Sequence, residues 1–261
     1  MADRVGWQAW RRALGSRHHF RRAIHEKRDR SSIGTHGPLF RNLLQRLAPR
    51  GEFVLVIALC FSLYAVTSVV VLLQPTPTFE LTTARALTGV AFDILALLLS
   101  ASILRTRGSL LRPFAGFSRR SALAGLSLFF AWVILYFGTA LVAAILFPAF
   151  PSARPFRLLT PAPAAIILLL VVANAVFEEI IVVGYVVNAL SAEGAALSIG
   201  VSTLLRFAGH LDQGPLAAIS VIPAGLLFAA VYWRSRSLWP LLVAHVLGSI
   251  LAFALAGPRS V

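Results

Sequence analysis

Residues 162–190 read APAAIILLLVVANAVFEEIIVVGYVVNAL, a run of apolar side chains interrupted by two adjacent glutamates. A helix needs roughly 20 apolar residues to cross the hydrocarbon core of a bilayer, so this segment is long enough to span a membrane. An ionised carboxylate near the middle of such a helix costs about 2.5–3.5 kcal/mol. Glu178 and Glu179 therefore predict a polar site inside a membrane protein.

Six further apolar segments accompany this one. The 261 residues are 58% hydrophobic and 13% charged, with a mean hydropathy of +0.80, which is unlike the composition of a soluble domain. The predicted spans are 53–73, 86–104, 121–147, 162–190, 195–211, 216–233 and 238–255. We therefore predict an all-α, polytopic transmembrane helical bundle of about seven (six to eight) membrane helices.

The formal net charge of +14 arises mostly from the first fifty residues. Because basic residues favour cytoplasmic loops, this arm and the basic loops 105–120 and 234–236 predict a multi-pass cell-membrane protein with a cytoplasmic N-terminus. We predict three regions: a basic cytoplasmic N-terminal arm at 1–50, N-terminal transmembrane helices and loops at 51–160, and a C-terminal core at 161–256. The arm is either a disordered tail or an amphipathic helix on anionic lipid. Membrane lipid is thus an expected partner, and the charge requires no nucleic acid.

Two adjacent carboxylates on one helix cannot face the same way. Glu178 and Glu179 would point about 100° apart, so one can face a cavity while the other faces a structural partner. A hydrogen-bonded packing pair and a proton relay in a transporter are the alternatives for these two residues. Asp93 has no ionisable neighbour within a helical turn of the second span, which favours a hydrogen-bonded structural role.

Two histidines in neighbouring spans complete a candidate site. His210 ends the fifth span and His245 lies inside the seventh, while Arg206 and Ser249 lie four residues from them on the same helix faces. A carboxylate in a low-dielectric cavity can accept a proton from water, and an imidazole can orient that water. A second imidazole and a hydroxyl can stabilise an oxyanion. The set favours peptide hydrolysis by an activated water molecule.

Three motifs follow one another in this part of the chain. Residues 177–185 contain Glu-Glu followed by Gly-Tyr, residues 206–214 contain Arg-x-x-x-His and then Gln-Gly, and residues 238–249 contain Leu-Trp-Pro and then His-x-x-x-Ser. From about residue 174 to residue 252 the sequence resembles the CPBP family of intramembrane glutamic endopeptidases (CAAX proteases and bacteriocin-processing enzymes, also called the ABI family). The family patterns are Glu-Glu-x-x-x-Arg-Gly-Tyr, Arg-x-x-x-His and His-x-x-x-Asn.

The resemblance implies a role for each matching residue. Glu178 would be the general base that activates water, His210 would bind that water, and His245 would help to stabilise the oxyanion. Glu179 would be a supporting acid behind Glu178. Arg206, Ser249 and Tyr185 would support these four residues. The substrate would be a membrane-associated peptide or membrane protein, cleaved at a CAAX-like C-terminus, a leader peptide or another site.

Two positions depart from the family pattern. Val183 stands where the family usually has arginine, and Ser249 stands where it has asparagine or aspartate. Arg206 could supply the missing cation to Glu179 from the neighbouring helix. These two departures predict a protease with reduced activity. The alternative to a protease is a catalytically weak relative that acts as a membrane scaffold or bacteriocin-immunity protein. A transporter would predict pseudo-symmetric halves, which the sequence does not show.

The candidate site also contains possible metal ligands. Glu178, His210 and His245 could form a two-histidine, one-carboxylate set, but the sequence has no His-Glu-x-x-His pattern, and Cys60 is its only cysteine. We expect no cofactor and a metal-free reaction, with zinc as the less favoured alternative.

Straight upright helices would hold His210 apart from Glu178 and His245. The fifth helix therefore has to be tilted, shallow or followed by a turn that dips inward.

Overall fold

A computed structural model of the chain describes residues 49–72, 79–80, 82–105, 117–148, 156–157 and 163–256. The predicted basic arm at 1–50 lies outside these residues, except for its last two positions. The predicted boundary at residue 160 also falls outside them. The three-region division therefore stays a prediction.

Helices make up nearly all of the described chain. In order these are α1 (Pro49–Leu72), α2 (Thr83–Arg105), α3 (Arg119–Leu146), α4 (Ala164–Glu178), a π-helix (Glu179–Tyr185), α5 (Val186–Ala189), α6 (Ala195–Gly209), α7 (Pro215–Ser220), α8 (Ile222–Ser235) and α9 (Trp239–Ala256). Short 3₁₀ turns at Ser191–Glu193 and Leu211–Gln213 flank α6. Two parallel two-residue strands, β1 (Phe79–Glu80) and β2 (Phe156–Arg157), join two of the loops.

The helical-bundle prediction is confirmed. Among the described residues, five helical segments are long and apolar enough to cross a membrane, namely Arg50–Val70, Thr83–Ser102, Arg119–Leu146, Ala164–Ala189 and Pro215–Ser235. Two shorter apolar helices, Ala195–Gly209 and Trp239–Leu255, correspond to the remaining predicted spans. The sixth predicted span consists of two helices, α7 and α8, with a break at Val221. Pro223 is the second residue of α8 and has no N–H to continue the ladder of the preceding turn.

The short helix α6 removes the geometric difficulty that the sequence raised. Its 15 residues rise about 22 Å, which is less than the roughly 30 Å of a hydrocarbon core. His210 caps its C-terminal end, and the chain then turns through Gly214, whose φ of 102° suits glycine, into α7. A histidine at the end of so short a helix can lie at the depth of residues in the middle of longer helices.

Close packing of α3 against α9 depends on one glycine from each helix. A Cβ at Gly125 of α3 would lie 2.6 Å from the Cβ of Val243 and 2.9 Å from the carbonyl oxygen of Pro240. A Cβ at Gly248 of α9 would overlap the ring of Trp132 on α3. Small residues at helix contacts let membrane helices approach closely, where packing rather than water exclusion drives association. The buried core that adjoins this contact comes from the π-helix, α5, α8 and α9, with Leu128 from α3.

We expect Gly248→Ala to lower the free energy of unfolding by about 1–3 kcal/mol, because the added methyl group overpacks against Trp132. Unfolding of the purified protein in mixed micelles would measure the loss. Gly138→Ala is the matched control on α3, since its added Cβ would meet nothing within 4 Å. Equal stability of the Gly248→Ala variant and the wild type would contradict the close contact.

Candidate active site

The helix that carries the two glutamates changes its winding at that point. α4 ends at Glu178, and a π-helix with i→i+5 hydrogen bonds runs from Glu179 to Tyr185. Single π turns within α-helices occur frequently at functional sites. A Cβ at Gly184 would lie 3.2 Å from the carbonyl oxygen of Glu179 and 3.5 Å from Leu238, so this turn leaves little room for a side chain there.

Glu179 is fully buried and is held by residues of two other helices. Its Oε1 atom accepts a 2.6 Å hydrogen bond from Nη2 of Arg206 on α6 and lies 2.7 Å from Nδ1 of His245 on α9. Oε2 has no hydrogen-bond partner among the described residues. The contact between Arg206 and Glu179 that the sequence suggested is therefore present in the structure. The position of Val183 is part of the apolar core instead.

Arg206 connects the two glutamates. Its Nη1 atom lies 3.5 Å from Oε2 of Glu178, and its guanidinium carbon lies 5.2 Å from the centre of the Phe228 ring. Arg206 is itself buried, with 6% of its side chain exposed. A buried cation between two carboxylates and over an aromatic face compensates charge that lipid would otherwise oppose.

Glu178 faces a small cavity. Its side chain is 12% exposed, and the cavity measures about 10 Å³, about the space that one water molecule needs. Arg206 and His210 also line it. The other lining residues are Phe61, Tyr64, Phe177, Val182, Leu205 and Gly209. The structure thus separates the two carboxylates as the helical geometry predicted, with Glu178 toward the cavity and Glu179 toward partners.

The hydrogen bonding of His210 fixes which ring nitrogen is free. Its Nδ1 atom lies 2.8 Å from the backbone carbonyl oxygen of Arg206, one turn earlier. A carbonyl oxygen can only accept, so Nδ1 carries the hydrogen. In the neutral ring Nε2 is then an acceptor, suited to a water molecule in the cavity.

His245 occupies a different environment from His210. Its ring contacts Trp132 and Phe228, with centroid distances of 6.2 and 6.4 Å, and it is not among the described residues that line the cavity. The expectation that both imidazoles share one cavity with Glu178 is therefore met by His210 only. The physical reason is that Nδ1 of His245 turns toward Glu179 behind the cavity wall.

The remaining sequence candidates lie away from the cavity. Ser249 is half-buried on α9, four residues after His245, and Tyr185 ends the π-helix with its ring stacked 6.0 Å from that of Phe53. Neither is among the described residues that line the cavity. Their supporting roles stay predictions.

Tyr64 and Asn174, two polar residues of this region, were absent from the sequence-based site. Tyr64 of α1 lines the cavity, and its hydroxyl donates a 2.7 Å hydrogen bond to Oδ1 of Asp93 on α2. Nδ2 of Asn174 on α4 lies 3.4 Å from the same hydroxyl. Asp93 therefore has the hydrogen-bonded position that the sequence predicted. A tyrosine in an apolar helix gives no signal of its own, because its ring alone explains its presence there.

The donor set is poorly arranged for a divalent metal ion. The guanidinium of Arg206 already lies between the carboxylates of Glu178 and Glu179, and Nδ1 of His245 is engaged with Glu179. Within the described part of the chain, no three histidine, cysteine, aspartate or glutamate side chains are grouped as metal ligands. The metal-free reaction stays a prediction.

These features define a polytopic membrane protein with a buried Glu-Arg-His site inside its helical bundle. Residues 160–251 match the family model described as type II CAAX prenyl endopeptidase Rce1-like. This match covers the region from α4 to most of α9, and it supports the resemblance to CAAX-type proteases of the CPBP family that the sequence motifs indicated. Comparisons with curated proteins and with solved structures found no match.

We expect Arg206→Ala to destabilise the protein by about 3–5 kcal/mol, because Glu179 would remain buried without its cation. Val183→Arg in the same protein should restore part of the loss, since it places a cation four residues after Glu179, where the family pattern has arginine. Unfolding in mixed micelles measures both effects.

Arg120→Ala, at an exposed position near the start of α3, is the control for the loss of an arginine. If Val183→Arg gave no recovery, the family's intrahelical cation and Arg206 would not be interchangeable. If Arg206→Ala behaved like Arg120→Ala, Glu179 would not depend on Arg206.

Proposed function

We propose that this protein is an intramembrane endopeptidase that hydrolyses a peptide bond of a membrane-associated substrate with water activated by Glu178. The observation that carries the proposal is the arrangement at the cavity. Glu178 lines it beside His210 and Arg206, while Glu179 is engaged by two other helices. One carboxylate is thus free to react and the other is fixed.

Glu178 is the proton acceptor in this mechanism. A water molecule in the cavity donates one hydrogen bond to the Glu178 carboxylate and the other to Nε2 of His210. As the water oxygen attacks the carbonyl carbon of the substrate, its proton moves to Glu178. The carbon–nitrogen bond then breaks, and Glu178 returns the proton to the leaving amine.

Arg206 stabilises the negative charge of the reaction. Its guanidinium lines the cavity and lies 3.5 Å from Glu178, so its positive charge is close to the place where an oxyanion forms. Glu179 and His245 hold it there through the 2.6 and 2.7 Å contacts at Oε1. We propose that His245 acts chiefly through Glu179. Direct stabilisation of the oxyanion by His245 and Ser249, which the resemblance implies, stays a prediction.

The family suggests a substrate class. A CAAX-like C-terminal tail, a leader peptide and another membrane protein all remain within the proposal, since each brings a peptide bond to the membrane. We also propose the cell membrane as the location, with the cytoplasmic N-terminus that the basic loops predict.

The alternative function is a catalytically weak relative that acts as a scaffold or immunity protein. One observation favours it: the position at which the family usually has arginine is occupied by Val183 in the apolar core. A second observation disfavours this alternative. Glu179 retains a buried cation, because Arg206 on α6 supplies the positive charge that Val183 lacks.

We expect Glu178→Gln to lower turnover by about 10²-fold or more, because the amide cannot accept the proton of the water. The reconstituted protein would be assayed on a library of quenched membrane peptides. Glu193→Gln, at an exposed turn before α6, makes the same chemical change away from the cavity and should keep wild-type turnover. Equal turnover by the wild type and the Glu178→Gln variant would end the protease proposal.

His210→Gln tests the second water contact. We expect about tenfold lower kcat or more with a small change in KM, because glutamine lacks an unprotonated ring nitrogen at the cavity. The initial-rate dependence on substrate concentration separates the two constants. A rise in KM alone would instead make His210 a substrate-binding residue.

A further inference from the structure

Tyr64 brings the first membrane helix into the active-site cavity. It lines the cavity with Glu178, Arg206 and His210, although α1 lies outside residues 160–251. The ring of a tyrosine in an apolar helix serves packing, but the hydroxyl of Tyr64 also makes polar contacts.

Those contacts form a chain across three helices. The Tyr64 hydroxyl donates to Oδ1 of Asp93 at 2.7 Å and lies 3.4 Å from Nδ2 of Asn174. Asp93 is 1% exposed, and its Oδ2 atom has no hydrogen-bond partner among the described residues. A carboxylic group in a membrane helix is costly, and the Oδ1 atom of Asp93 is stabilised by the hydrogen bond from this phenol.

The ring of Tyr64 is fixed as well. It stacks on Phe177 with centroids 5.8 Å apart and an angle of 26°, and it meets the ring of Phe92 edge-on at 5.7 Å. Phe177 directly precedes Glu178, and Asn174 lies one turn before it on α4. Tyr64 thus contacts α4 at two positions within the turn that precedes the proton acceptor.

We propose that Tyr64 is a positioning residue of the active site, held by Asp93, that fixes the Glu178 carboxylate at the cavity through Asn174 and Phe177. The inference rests on the proposed function, since it assigns Tyr64 a role in that reaction. It makes α1 and α2 part of the active site rather than a membrane anchor beside it.

Tyr64→Phe is the test, because it keeps the stacked ring and removes only the hydroxyl. We expect kcat to fall about tenfold with KM within about twofold, as a misplaced acceptor slows the reaction of bound substrate. Asp93→Asn keeps an oxygen acceptor for the hydroxyl and should retain most of kcat, whereas Asp93→Leu should resemble Tyr64→Phe.

Tyr136→Phe is the matched control, since it removes a hydroxyl from α3 at a half-buried position that does not line the cavity. Thermal unfolding of each variant separates folding from catalysis. Wild-type kcat for Tyr64→Phe, in a protein whose Glu178→Gln variant is inactive, would overturn this inference and leave the protease proposal intact. Equal turnover by Glu178→Gln would instead overturn the protease proposal.

A second measurement does not depend on a substrate. A hydrophobic carbodiimide modifies carboxyl groups within membranes, and mass spectrometry of the peptide that contains Glu178 follows the rate. We expect faster modification of Glu178 in Tyr64→Phe than in the wild type or Tyr136→Phe, because the side chain is released from its fixed position. An unchanged or slower rate would overturn the positioning role.

Discussion

The shared contact of Arg206 and His245 with one oxygen of Glu179 is the constraint on which the site depends. The hydrophobic effect does not drive helices together within lipid, because the lipid tails are as apolar as the helix surfaces. Polar contacts inside the bundle therefore determine much of which helices pack together. Here one carboxylate oxygen joins α6 and α9 to the start of the π-helix, at 2.6 and 2.7 Å. Removing any partner leaves a buried charge or dipole without compensation, which costs more than the net value of the contact. The arrangement is therefore fixed more by the penalty of breaking it than by its own strength.

This contact also determines the difference between the two adjacent glutamates. Because Glu179 is enclosed by partners, the change of direction along the helix leaves Glu178 at the cavity, with Nη1 of Arg206 3.5 Å away and His210 on the same cavity wall. The residue four positions after Glu179 is Val183, which belongs to the apolar core together with Phe228 and Leu238. The cation that Glu179 needs comes from the neighbouring helix, and the position on its own helix can therefore be a valine.

Two kinds of feature could be predicted from the sequence, namely the long apolar segments that span a membrane and the polar residues that are costly within them. Seven apolar segments follow from length alone, and Glu178, Glu179, Asp93, His210 and His245 stand out because polar groups in such segments need a reason. The division of the two carboxylates followed from the 100° step of an α-helix. The π-helix did not, since its i→i+5 bonding depends on the fit around Gly184 and Leu238. The break at Val221 had a signal in Pro223, which the apolar run around it concealed. The pairing of Tyr64 with Asp93 joins residues 29 positions apart on separate helices, which helical periodicity cannot predict.

The cavity and its surroundings draw on more of the chain than the family match covers. Phe61 and Tyr64 of α1 line the cavity opposite Glu178, and Trp132 of α3 packs against both His245 and Gly248. A polar cavity open to lipid would expose Glu178 and Arg206 to hydrocarbon, where an uncompensated charge is costly. Helix α1 therefore lines part of the cavity and α3 packs beside His245, while the charged residues of the site come from α4, the π-helix, α6 and α9.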